Sequence, residues 1–262
     1  MTPLSSFTPG RGLTLEMQGH VATLEFSRPP FNFFDQELIM DLLAALAYLD
    51  GLAACRVVML QAEGKTFCAG ADFTGLAQSD EKTLPRQLYQ HAVQLFRTAK
   101  PLIVVVEGAA IGGGLGLALV GDYRVTSEKA RFSANFNRLG MHQGFGISVT
   151  LARVVGPQMA SLLIATGRRI DGAEAVRIGL ADVLAEPGQE RQAARALAEE
   201  IAISAPLAVM SSRQTLRAGL AEAVEAILDR EASEQEWQVL TSDFVEGNKA
   251  MRERRDPEFT GN

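Results

Sequence analysis

A chain of 262 residues with 47% hydrophobic and 21% charged content has enough apolar material for one α/β core with a helical appendage. Its net charge of −6 argues against nucleic acid as a partner. Two cysteines, Cys55 and Cys68, are too few for a disulfide framework, and no run approaches the roughly 18 apolar residues needed to cross a bilayer.

Residues Met1–Gly12 hold no apolar stretch, so no signal peptide is expected and the cytoplasm is the expected compartment. Leu13–Met17 and Val21–Phe26 flank Gln18-Gly19-His20 and read as a β-hairpin. From Asp35 the period changes: Leu38, Ile39, Leu42, Leu43, Leu46 and Leu49 share one helical face, which Asp50-Gly51 ends. Arg56–Leu60 and Leu102–Val106 are β-branched or apolar runs long enough for buried strands, with a helix marked by Leu88, Ala92, Val93 and Phe96 between them. This alternation predicts parallel pairing with crossover connections. Beyond residue 150 the strand signal nearly vanishes, and helical patterns follow at 157–167, 190–203 and 218–240. The expected division is 1–200 for the core domain and 201–262 for a C-terminal helical region.

Each of those two strands runs into a glycine-bearing turn: Gly64-Lys-Thr-Phe-Cys68-Ala69-Gly70-Ala71-Asp72-Phe73 and Gly108-Ala-Ala-Ile-Gly112-Gly113-Gly114-Leu-Gly116. Glycines there let backbone approach a ligand and leave amide N–H groups open. Two such turns side by side could hold one oxygen between two amides, as an oxyanion hole requires. A dinucleotide-binding loop is rejected, because the G-x-G-x-x-G spacing fails at Leu117 and Leu119.

On these two turns, and on Arg28-Pro-Pro-Phe-Asn32, Gly167–Ala175, Glu246-Gly247 and Pro257-Glu258-Phe259, nearly the whole chain resembles the crotonase (enoyl-CoA hydratase/isomerase) superfamily. The resemblance implies an α/β fold, a right-handed spiral of ββα units with a C-terminal helical trimerisation region, assembled as a homotrimer or homohexamer. It implies a coenzyme A thioester as substrate, no separate cofactor, no metal and no membrane partner. It places the oxyanion donors on the amides of Ala71 and Gly113, and substrate contacts on Ala69, Asp72, Phe73, Asn135 and Phe136. Phe33, Phe34 and Phe136 suggest an apolar acyl pocket.

The chain departs from the family's pattern where proton transfer is expected. The two hydratase glutamates fall on Gly116 and Phe136, and the aspartate used by relatives as base or nucleophile falls on Gly144. Neither glycine nor phenylalanine transfers protons. His142 is the expected replacement acid or base, its other reading being a hydrogen-bonded loop histidine. His91, Glu107 and Cys68 are weaker candidates, each with a structural alternative, and Lys249, Arg252, Arg254 and Arg255 read either as a polyanion site or as a solvated helix end. Ser133–Phe136 with Gly144-Phe145-Gly146 also resembles a glutamate-poor branch that contains the decarboxylases of polyketide β-branching, although 73–86 offers no unambiguous match for that branch's catalytic lysine. Three activities follow as expectations: thioester enolate chemistry of the hydratase/isomerase kind, decarboxylation, or acyl-CoA binding without catalysis.

Overall fold

The β-branched runs become the middle of a parallel sheet in the computed structural model, which describes residues 7–71 and 86–262. Strands β1 (Leu13–Gln18) and β2 (Val21–Phe26) form the antiparallel hairpin. Beside them lie β3 (Val57–Ala62), β4 (Leu102–Val106), β6 (Tyr123–Ser127) and β9 (Val183–Ala185), all parallel, in the order β1-β2-β3-β4-β6-β9. A second, three-stranded sheet is made of β5 (Ala109–Ile111), β7 (Arg131–Ser133) and β8 (Ile170–Asp171). Chain order alternates between the two sheets, β4 to β5 and β6 to β7, before each turn continues outward.

Both faces of the large sheet are covered, which is why its central strands are apolar throughout rather than alternating. Val57, Met59, Ile103 and Val105 pack under helix α7 (Glu190–Ile203) through Ala194 and Ala198. Their neighbours Val58, Leu60 and Val104 point the other way, into the main core with α1 (Gln36–Gly51) and α2 (Arg86–Gln94). Asp35 caps α1 by accepting from the Leu38 N–H at 2.8 Å, and five of the six residues expected on its apolar face are fully buried, Leu43 being the half-buried exception. The strands β5, β7, β8 and β9 run only two or three residues each, too short to leave a period in the sequence; β8 and β9 lie in the region where the pattern shows only helices.

Helix α3 (Gly113–Ala118) starts at the second glycine turn. Helices α4 (Ile147–Val155), α5 (Pro157–Thr166) and α6 (Gly172–Arg177) follow. The chain ends in α8 (Pro206–Leu216), α9 (Leu220–Gln238) and α10 (Ser242–Glu253). Helix α8 buries none of its residues, whereas α9 packs back on α2 and α4, and α10 covers the 3-10 turn Asn135–Leu139. No helix among the described residues is long and apolar enough to cross a membrane.

Candidate active site

The two glycine turns lie against each other. Cys68 N donates to Ala109 O at 2.9 Å and Ile111 N to Cys68 O at 3.0 Å, so residues 68–71 run beside β5 as a short parallel bridge. Gly70 sits at φ +91° and Gly112 at φ +56°, the left-handed region that favours glycine. A Cβ added at Gly70 would stand 3.2 Å from Gly113 N, and one at Gly114 would stand 2.0 Å from Cys68 O. Only glycine permits that approach. Gly113 is the first residue of α3, where backbone N–H groups have no helical acceptor. Among the described residues, neither the Gly113 nor the Ala71 N–H finds another acceptor.

Both residues line a cavity of about 300 Å³ together with Ala69, Asn135 and Phe136. Phe33 lines it as well, while Phe34 packs behind Gly113, so close that a Cβ on Gly113 would meet the ring at 2.6 Å. Asp72 and Phe73 lie outside the described residues. His142 is not among the residues lining this cavity. Its backbone N–H donates to the Gln238 side chain, its carbonyl accepts from Gln235 Nε2 at 2.7 Å, and its ring Nδ1 lies 2.7 Å from Gln143 O.

The weaker candidates have structural explanations or none. Glu107 pairs with Arg191 at 2.7 Å, and the same guanidinium reaches Glu25, tying α7 to the sheet. Cys68 is fully buried, and burial pushes its thiol up to about 12, which leaves no thiolate at neutral pH. His91 sits half-buried on α2 with Nδ1 unpartnered, and it does not line the cavity.

The positions that the family resemblance assigns to carboxylates are filled. A Cβ on Gly116 would stand 2.7 Å from Phe145 Cγ. The Phe145 ring packs edge-on against Phe34 at 5.3 Å and Tyr89 at 6.2 Å, forming an aromatic wedge behind the second turn. A Cβ on Gly144 would stand 2.8 Å from Gln235 Nε2 and 3.0 Å from the Tyr89 hydroxyl. Phe136 is buried and forms cavity wall. The turn carrying Phe145, itself at φ +63°, is held from α9: Glu231 is fully buried and accepts from Gly146 N at 2.8 Å and Ser148 N at 3.1 Å. Burial pushes the Glu231 carboxyl above its ordinary range. Sequence reasoning missed both the wedge and its anchor. In sequence, Glu231 is one more charged residue of a polar helix, and nothing marks it as buried.

The comparisons with known proteins now bear on this arrangement. The model of the family described as enoyl-CoA hydratase/isomerase matches residues 16–262. This chain belongs to that family. Among its relatives, an (E)-benzylidenesuccinyl-CoA hydratase of Thauera aromatica is 34% identical over 256 residues, covering 95% of this chain and 99% of the relative. A short-chain-enoyl-CoA hydratase of Clostridium acetobutylicum is 33% identical over 213 residues, covering 79% of this chain and 81% of the relative. A solved enoyl-CoA hydratase/isomerase from Pseudoalteromonas atlantica superposes with a TM-score of 0.83 at 30% identity, covering 95% of this chain and 100% of that one. The fold is therefore the crotonase α/β spiral, and the protein is an acyl-CoA-binding member of an enzyme family.

Proposed function

We propose that this family member binds a coenzyme A thioester with its carbonyl oxygen between the amides of Ala71 and Gly113 and stabilises the enolate formed there. The observation that carries the reading is the pair of unpartnered N–H groups on touching turns at one cavity wall. Donors fixed in this way stabilise charge as it develops on the oxygen without reorganising. Ala69, Asn135 and Phe136 are the substrate contacts in this reading. Paired-carboxylate hydration is not part of it, because Phe145 and Phe136 occupy the space where acids would act. This reading gives His142 no role, since His142 is not among the residues that line the cavity.

The same aromatic filling favours a second reading, decarboxylation. Loss of CO₂ from a thioester whose α-carbon bears the carboxylate breaks the Cα–carboxylate bond and leaves its electron pair in the enolate. No base is required at that step, and water supplies the proton that follows. Residues 201–262 are proposed as the assembly region of a homotrimer or homohexamer, with Ile203 at the end of α7 and Leu207 and Leu216 on α8 exposed. No separate cofactor enters either reaction, and the cytoplasm is the proposed compartment.

The test is calorimetry with a series of acyl-CoAs, followed by α-proton exchange in D₂O. Micromolar binding, about −8 kcal/mol, with exchange faster than in buffer is the expected result. Binding without exchange or CO₂ release would make the chain a binding protein. No heat with any thioester would overturn the ligand class.

A further inference from the structure

Arg169 is a cation in the wall of a mostly apolar cavity, whose other polar side chains are Asn135 and Asn248. The turn carrying it is pinned beside Asn135: Ser133 Oγ donates to Gly167 O at 2.9 Å, Phe132 pairs with Ile170 across β7 and β8, and a Cβ on Gly167 would stand 3.3 Å from Asn135 Cα. Arg169 and Asn135 thereby line the same 300 Å³ cavity as the Ala71 and Gly113 amides, where Phe31, Phe33, Phe136, Leu139 and Met251 supply most of the rest.

Neither polar group has a partner among the described residues. Among the described residues Arg169 enters no ion pair, and the Asn135 carboxamide makes no hydrogen bond, with Oδ1 buried. Arg169 and Asn135 also border an adjoining cavity of about 800 Å³ with Arg138, Arg168, Arg254 and Arg255, where Arg138 pairs with Asp256 at 2.7 Å and Arg255 with Glu246. Of these arginines, Arg169 is the one that also lines the cavity of the amides. A guanidinium stays charged throughout the working pH range, and its planar fork matches a carboxylate. Exposed as it is in the free protein, it gains little from a pair in water. Under a bound acyl group, with most of the wall apolar, the pair is shielded and strengthens.

We propose that the substrate's acyl group bears a second carboxylate, received by Arg169 with the Asn135 amide beside it, so that the ligand class is the thioester of a dicarboxylic acid. This rests on the acyl-thioester reading above. The phosphates of coenzyme A are the competing anions, but a full pantetheine arm separates them from the thioester. Arg169 lines the small cavity that holds the oxyanion amides.

The test titrates the full chain with glutaryl-CoA and pentanoyl-CoA, equal in carbon number, and with their 3′-dephospho forms. Glutaryl-CoA should bind about tenfold or more tightly, as a charge-assisted hydrogen-bonded pair gives. Arg169→Gln should collapse that ratio to near one, and Arg169→Lys should restore part of it. Circular dichroism checks the fold, which an exposed side chain should not disturb. Equal binding of the two thioesters to the wild type overturns the proposal while leaving the thioester reading intact. A ratio that survives Arg169→Gln overturns the assignment to Arg169. A loss equal for both acyl groups, absent with the dephospho forms, assigns Arg169 to the nucleotide and overturns the proposal too. Failure of every thioester to bind removes the underlying reading and this one with it.

Discussion

Glycine does opposite work at the two sides of the second turn. At Gly70, Gly112 and Gly114 the missing side chain lets two backbones touch, and the N–H groups beside them stay open toward the cavity. At Gly116 and Gly144 the missing side chain is replaced by a neighbour: the Phe145 ring fills one space, and Tyr89 with Gln235 fills the other. The donor side is built from backbone, so it survives almost any change of side chain around it. On the other side, the positions that the family resemblance gives to acids are taken up by side-chain packing. The lesson is that an absent Cβ does not mean an open site: at Gly116 and Gly144 a Cβ would meet a neighbour at 2.7 and 2.8 Å.

The comparison breaks most visibly if the donor side is removed. Gly113→Pro deletes one N–H, but any Cβ there collides with Phe34, so the change is made in a Phe34→Ala background. Beside Gly113→Ala in the same background, which keeps the N–H, the proline variant should lose about 10²–10³-fold in α-proton exchange of a bound thioester. Equal rates for the two, with matching circular dichroism, would remove Gly113 from the site.

The next effect concerns the acid side. Hydration of crotonyl-CoA by the wild type should lie far below that of a paired-glutamate enzyme, each positioned proton-transfer group being worth on the order of 10²–10⁴-fold. Restoring acids as Gly116→Glu with Phe136→Glu should not help by itself. The new side chain at 116 starts inside the Phe145 ring, and overpacking of that kind typically costs about 1–3 kcal/mol. Adding Phe145→Ala should relieve the clash and raise hydration above both the wild type and the double variant. Rapid hydration by the double variant, without Phe145→Ala, would show that the wedge yields and does not define the site.

How far the sequence carried this reading follows from the same contrast. The strands β1 to β4, the helix capped by Asp35 and both glycine turns were legible, because period, caps and glycine spacing are local signals. The juxtaposition of the turns came from the family resemblance, and the Cys68–Ala110 bridge then supplied the geometry. That Gly116 and Phe136 stand where the resemblance expects acids was legible in the sequence. What filled their place was not, since Phe145, Tyr89 and Gln235 come from three separate elements. Short strands such as β7 and β9 and the anchor Glu231 were hidden for the same reason: tertiary contact, not local pattern, determines them.

Glu231 sharpens the comparison by way of stability. It joins α9 to the turn that carries the wedge, and Glu231→Gln leaves one of the Gly146 and Ser148 N–H groups without an acceptor, a loss of about 1–3 kcal/mol. The pH dependence has a definite sign. Burial raises the native carboxyl above its unfolded value, so in the window between the two the native state holds the extra proton. Stability from this group is full below the window and declines as pH rises through it. Urea unfolding should therefore show the advantage of wild type over Glu231→Gln narrowing from acid toward neutral pH. A gap that widens instead would mean that the two N–H groups, not burial, govern the carboxyl.

The smallest effect is expected at His142, the residue that sequence alone put forward as the replacement acid or base. What α9 holds is its backbone: the N–H through Gln238 and the carbonyl through Gln235. Its ring touches the next carbonyl, Gln143 O, and the cavity that holds the amides does not reach it. His142→Ala keeps both backbone links and should change thioester exchange or turnover by no more than about threefold, far less than the loss of a positioned proton-transfer group. Its pH–rate profile should overlay that of the wild type, because no group titrating near neutrality has been taken from the site. A fall of 10²-fold with the fold intact and a limb of the profile lost would place the imidazole in the chemistry. The turn at 142–146 would then have to reach the thioester in a conformation where Phe145 no longer fills the space beside Gly116.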